Sequence, residues 1–264
     1  MSIITISRGS YSRGKEVAEK LAQALGYECI SREILLEASE KFNIPEIKLV
    51  RAIHDAPSIL ERFTYGKERY VAYLRAALLK HVQKDHVVYH GLAGHFFLQG
   101  IPHVLKVRII ADLEDRVQEE RRRENISAEE ARYILKKDDD ERRKWGLYLF
   151  GADTWDPKLY DMVIHIRTMT VDDAVSLILC AVKMACFQTA AAPQKTLDNL
   201  TLAAQVQAAL VEEFPTVQVT ASEGEVFVSI SGSLAEEEET IARISRIASK
   251  VAGMEVKVQF QLRP

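Results

Sequence analysis

Gly9, Gly14 and Lys15 stand in ITISRGSYSRGKEVAEKL, residues 3–20, at the spacing Gly-x4-Gly-Lys. A phosphate needs several backbone N–H groups aimed at one point, together with a positive charge. A glycine-bounded turn that opens a helix supplies the N–H groups, and the helix dipole adds to the field. Lys15 has the reach for β- and γ-phosphates, so residues 9–16 (Gly9, Ser10, Tyr11, Ser12, Arg13, Gly14, Lys15 and Glu16) form a candidate nucleotide-binding loop. The residue after the lysine is ordinarily a hydroxyl that ligates Mg²⁺. Here it is Glu16. Its carboxylate is read as a first-turn acid that favours the helix dipole, with metal ligation, direct or through water, as the alternative.

Arginine is the second chemical resource. Arg116, Arg121, Arg122, Arg123, Arg132, Arg142 and Arg143 crowd one charged segment. Phosphoryl transfer is mostly positioning and electrostatic stabilisation, which arginines on a closing lid provide. The alternative is a solvated helix laced with i,i+4 Glu–Arg pairs. His90 and His95 flank GLAG. No third ligand is spaced to join them in a metal site, so each is read as bonding a carbonyl. A nucleotide contact is a further reading for His90, at the C-terminal end of its strand.

These residues need elements to position them. IITIS is an apolar, β-branched run suited to a buried parallel strand. A helix follows to Leu25, with Gly26 as its stop. Further strands are expected near 27–30, 86–90, 104–110 and 162–166. Helices are expected over 32–42, about 68–84, the charged segment (restarting at the capping box SAEE) and TVDDAVSLILCAVKMACF. Alternating strands and helices argue for a parallel α/β sheet covered on both faces. QTAAAPQKT reads as a linker. Beyond it come a helix over 198–213, alternating strands VQVTA and VFVSIS joined at Glu223-Gly224, a helix over 236–251 and the strand VKVQFQL. That order is αββαβ, a small two-layer domain.

Net charge is −3, which gives no reason to expect nucleic acid. The charge changes sign along the chain: from Thr196 onward there are ten acidic and five basic residues, a hint of two modules. The three cysteines form no CxxC pair and read as reduced core residues. With no leader-like N-terminus and no apolar run of about 20 residues, no membrane span is expected and a cytoplasmic location is.

Residues 1–187 resemble the cytidylate-kinase-like family of P-loop kinases. The resemblance is carried by ITISRGSYSRGKEVAEKLAQALGY, VVYHGLAGHFFLQGIPHVLKVRIIADLEDRV, SAEEARYILKKDDDERRKW and WDPKLYDMVIHI. It implies a five-stranded parallel sheet with a helical lid, ATP and Mg²⁺ at the loop, and phosphoryl transfer to CMP or dCMP. Glu after the basic residue is common in this family. Lys15 and Arg142 are then expected to act on the transferring phosphoryl, with Arg116 on the donor and Arg32, His90 and Asp139 on the acceptor. The family's Arg-Asp-x-x-Asp-x-x-Arg signature survives only as Asp139 and Arg142, with Leu135 and Lys136 in place of its first pair. Ser31 stands where the family commonly has Asp, and HGLAG replaces its GRG. Residues 188–196 are the expected linker. Residues 197–264 resemble a BON domain, which implies a ligand or protein partner for the tail. The alternative to a kinase is a nucleotide-binding sensor or pseudokinase whose tail reports occupancy.

Overall fold

In the computed structural model, residues 2–9, 12–31, 33–42, 66–91, 93–233 and 236–262 are described. Five strands form one parallel sheet: β1 (Ile3–Arg8), β2 (Glu28–Ile30), β3 (Val87–His90), β4 (Val104–Ala111) and β5 (Met162–Ile166), in the order β2-β3-β1-β4-β5. Each lies within a residue or two of its expected place; for the inner strands β1, β3 and β4 the reason is that a strand buried on both faces reads as a nearly continuous apolar run. β1 is central, with Ile3 opposite Val87 on one side and Val104 on the other. The connection after β1 runs out to β2 and that after its neighbour β4 runs the other way to β5, which opens a crevice between their C-terminal ends.

The two faces of the sheet are covered differently. One packs on α1 (Gly14–Leu25) and, further along the chain, on Val171–Val182, through Ile4, Ile6, Val17, Leu21, Ile109 and Ile178. α1 ends where expected: Gly26 adopts φ 68°, and the N–H groups of Gly26 and Tyr27 return to Gln23 and Ala22 carbonyls. A left-handed residue that closes a helix in this way favours glycine. The opposite face carries α2 (Glu33–Phe42), α3 (Gly66–Val82) and a short α4 (Gly94–Phe97) that starts at the last residue of HGLAG. A helical hairpin, α5 (Leu113–Glu124) and α6 (Ala128–Phe150), projects from the end of β4. The Ser127 side chain accepts from the Glu130 N–H at the start of α6, as the SAEE motif predicts. Leu135 is wholly buried against Val117 and Ala131, so the position where the family signature begins with arginine instead packs the hairpin together.

After α7 (Val171–Val182), α8 spans Ala191–Leu210. It begins seven residues before the expected helix and takes in 191–196 of the expected linker. Pro193 lies in its first turn, where proline removes no intrahelical hydrogen bond, and the flanking alanines are strong helix formers. One row of α8 (Leu197, Ala204, Ala208) joins the core under α3. A second row (Ala203, Val206, Leu210) joins the core of a three-stranded sheet. That sheet contains β6 (Gln218–Ser222), β7 (Glu225–Gly232) and β8 (Lys257–Leu262), with α9 (Glu237–Ala252) between β7 and β8. β6 and β7 pair antiparallel and β8 joins β7 in parallel, so the tail has the expected αββαβ order.

No single helix among the described residues is long and apolar enough to cross a membrane. None of the three cysteines is in a disulfide, and Cys180 and Cys186 are exposed, which corrects the reading of these two as core residues. Those two fall on the outer sides of α7 and the turn after it.

Candidate functional site

Among the described residues, the Ser12 hydroxyl ties the loop between β1 and α1 to β4. Ser12 is buried, and its Oγ lies 3.0 Å from the Gly9 carbonyl and 3.1 Å from that of Ile109 on β4. Its N–H also meets the Gly9 carbonyl at 3.3 Å. Arg13 then takes a left-handed conformation, φ 64°, and gives α1 no side-chain cap. Among the described residues, nothing caps the N–H groups of the first turn, which suits them to an anion. A Cβ at Gly14 would lie 2.7 Å from the Arg8 Cβ, which explains glycine at this junction.

A cleft of about 930 Å³ opens in front of this turn. Eight of its fifteen lining residues are cationic and five are acidic, so its field is net positive. Arg116 and Arg142 are the lid arginines that turn inward. Arg116 is buried, its guanidinium stands beside Gly9, and it donates twice to Asp139, at 2.8 and 3.0 Å. Arg142 donates to the Arg8 carbonyl at 3.0 Å, and burial pulls its pKa below the ordinary arginine value. Arg122 and Arg123 also line the cleft. Arg121, Arg132 and Arg143 instead meet Gln118, Glu114 and Asp153, none of them the i,i+4 glutamate of the surface-helix alternative.

Lys15 lines the cleft, but its ammonium lies 3.6 Å from Glu19. Glu16 accepts from Arg13 at 2.8 and 3.0 Å and lies 3.6 Å from Lys20. Its carboxylate is therefore engaged along the helix surface. Ser10, Tyr11 and Arg32 lie outside the described residues.

His90 is buried at the end of β3 beside Ile6. No cluster of three or more ligating side chains occurs among the described residues. His95 Nε2 instead meets the Tyr160 hydroxyl at 3.3 Å. Burial, aided by the charges of Arg108 and Lys106, pushes its pKa down to about 3.

Arg108 and Tyr160 have no place in the sequence reading. Both lie on the sheet face opposite α1, next to Ser7: Arg108 reaches the Ser7 Oγ at 3.4 Å and the Tyr160 hydroxyl at 3.2 Å. A signal for them exists. VLKVRIIA alternates Lys106 and Arg108 on one face of a strand that should be apolar on both.

These positions fit phosphates better than they fit a protein-built metal cage. The uncapped helix start, the glycine junction and the inward arginines suit a polyphosphate. A magnesium ion would be held chiefly by phosphate oxygens and water, with Glu16, Asp115 or Asp138 as the carboxylates at hand in the cleft.

A profile of the Cytidylate kinase-like family matches residues 3–168. No curated protein matches the chain. Among solved structures, an uncharacterized protein from Eubacterium ventriosum ATCC 27560 superposes with a TM-score of 0.53 at 20% identity, covering 69% of this chain and 98% of that one. Shikimate kinase from Acinetobacter baumannii, in complex with shikimate, aligns with a TM-score of 0.40 at 16% identity over 69% and 93% of the two chains. A gluconokinase from Sinorhizobium meliloti 1021 aligns at 0.39 and 12%, over 69% and 91%.

Proposed function

The chain belongs to the cytidylate kinase-like family, and from that premise we propose that it is an ATP-dependent kinase of nucleoside monophosphate type, with CMP or dCMP as acceptor. One observation carries the reading: an uncapped helix start, a positive cleft and two inward-turned lid arginines converge on a single loop. The first-turn N–H groups and Lys15 hold the donor phosphates. Arg142, with Arg116, neutralises charge on the transferring phosphoryl. A phosphate acceptor is already ionised, so the chemistry needs no general base. Mg²⁺ supplies charge neutralisation between donor phosphates when bound. We read the αββαβ tail as a BON-like module that takes a ligand or protein partner, and the chain as cytoplasmic.

The test is ADP formation from ATP and Mg²⁺ with a panel of nucleoside monophosphates. Turnover that prefers CMP or dCMP and falls at least a hundredfold in Lys15→Ala supports the reading. ATP binding with no ADP formation above that variant's would sink it.

Three placements favour a nucleotide-binding sensor as the second reading. Lys15 leans to Glu19, Glu16 is engaged by Arg13, and Arg116 is neutralised by Asp139. The same assay separates the two readings.

A further inference from the structure

Arg108 is nine-tenths buried, yet among the described residues no carboxylate lies within ion-pair distance of it. Its hydrogen bonds go to two neutral hydroxyls, Ser7 and Tyr160. A buried cation is normally paired, because desolvating it is costly. Two more polar atoms of this layer are buried without a partner: Thr5 Oγ1, two residues back on the same face of β1, and His95 Nδ1. The Tyr160 hydroxyl donates to the Thr154 carbonyl at 2.9 Å, so its oxygen is an acceptor for Arg108 and His95 rather than a counter-charge. Ser7 stands two residues before the phosphate loop. Ser7 holds Arg108, while the next residue, Arg8, offers its carbonyl to Arg142. The two guanidinium groups thus flank the C-terminal end of β1, where ligands of such sheets bind.

We propose that Arg108 is the anion anchor of the phosphoryl acceptor, pairing with a phosphate or carboxylate that the acceptor brings to the layer formed by Ser7, His95 and Tyr160. This rests on the kinase reading of the loop. It makes the acceptor an anion and gives Arg108 a role in specificity that no architectural need explains. Among the described residues the guanidinium is offset only by the Tyr160 ring, 5.5 Å away, and by the charge of Asp153 beyond ion-pair distance; a buried charge held so loosely lowers stability, and sites kept at such a cost are typically functional.

The test is thermal shift and equilibrium binding on the full chain and on Arg108→Met and Arg108→Lys. The probes are ATP, CMP, inorganic phosphate, shikimate and gluconate, each measured alone. We expect Arg108→Met to melt at or above the wild-type temperature, because methionine fills the space without the charge. It should keep the ATP shift and lose at least tenfold in affinity for whichever anion binds the wild-type chain, with partial recovery in Arg108→Lys. CMP or phosphate as the responding probe identifies a phosphate acceptor, and shikimate or gluconate a carboxylate. A lower melting temperature with unchanged anion affinity overturns the assignment and makes Arg108 a structural tie to Tyr160. Absence of any acceptor-type shift in the wild-type chain also overturns it. Loss of the wild-type ATP shift, with the anion results intact, overturns the kinase reading and spares Arg108 as an anion site.

Discussion

Ser12 shows how much of the site depends on single atoms. Its hydroxyl is buried between two carbonyls, one on the loop and one on β4. Ser12→Ala removes the hydroxyl from both carbonyls and leaves that of Gly9 only the 3.3 Å contact from the residue-12 N–H, at a cost of about 1 kcal/mol for the lost hydrogen bond. Chemical denaturation should show that loss. The ATP thermal shift should shrink with it, because the first-turn N–H groups are no longer held at one point. An unchanged ATP shift would mean that the backbone alone sets the loop. His95 gives a pH signature. Its pKa in the folded chain is about 3, against 6.5 for an ordinary histidine. Between those values the unfolded chain binds a proton and the folded chain does not. Stability is therefore full above about pH 6.5 and falls as the pH drops towards 3, by roughly 1.4 kcal/mol per unit where the difference is complete. A His95→Gln variant should lose less melting temperature than the wild type between pH 7 and pH 5; equal losses would assign the acid sensitivity elsewhere. The loop residues were legible because glycine spacing is a backbone requirement written directly in the sequence. Arg108 was not, because a charge inside an apolar strand gains meaning only when its missing partner can be seen.

At the scale of elements, the β1–α1 junction is set by a contact distance. Alanine at position 14 would gain up to about 1 kcal/mol in helix propensity over glycine. Its Cβ would stand 2.7 Å from the Arg8 Cβ and 2.9 Å from its Cδ, and overpacking of that kind costs about 1–3 kcal/mol. The second effect is larger, and relief requires α1 to move away from β1. Gly14→Ala should thus lower the melting temperature and abolish the ATP shift, while Gly26→Ala, at a left-handed position with open space around it, should lower stability and keep ATP binding. Retained binding in Gly14→Ala would show that the cradle tolerates a displaced helix. Most elements were legible from periodicity and stop signals, as α1 and its Gly26 are. α8 was only half legible. Small residues and Pro193 imitate a linker, and the helix forms because two separate cores claim its two rows. The short α4 was hidden for a similar reason: four residues are too few to show a period.

At the scale of the molecule, α8 decides how the tail relates to the kinase fold. Tail and sheet do not meet through a flexible tether, since the helix that opens the tail also closes the core under α3. Thr201 Oγ1 lies 2.8 Å from the Leu197 carbonyl and 3.5 Å from that of Leu79 on α3. Gln83 donates to Asp198 at 2.6 Å, and Glu212 takes both Arg69 and the Tyr73 hydroxyl of α3. The thermodynamic consequence is shared cooperativity. Leu197 is wholly buried on the α3 side, so Leu197→Ala should cost about 2–5 kcal/mol. Because the same helix carries Val206 and Leu210 into the small sheet, protection should fall in β7 as well as in α3. Calorimetry of the wild-type chain should give one transition, and hydrogen exchange of Leu197→Ala should show both regions opening together. Two separate transitions, or an exchange effect confined to α3, would establish that the small sheet folds on its own and that α8 merely leans on the kinase fold.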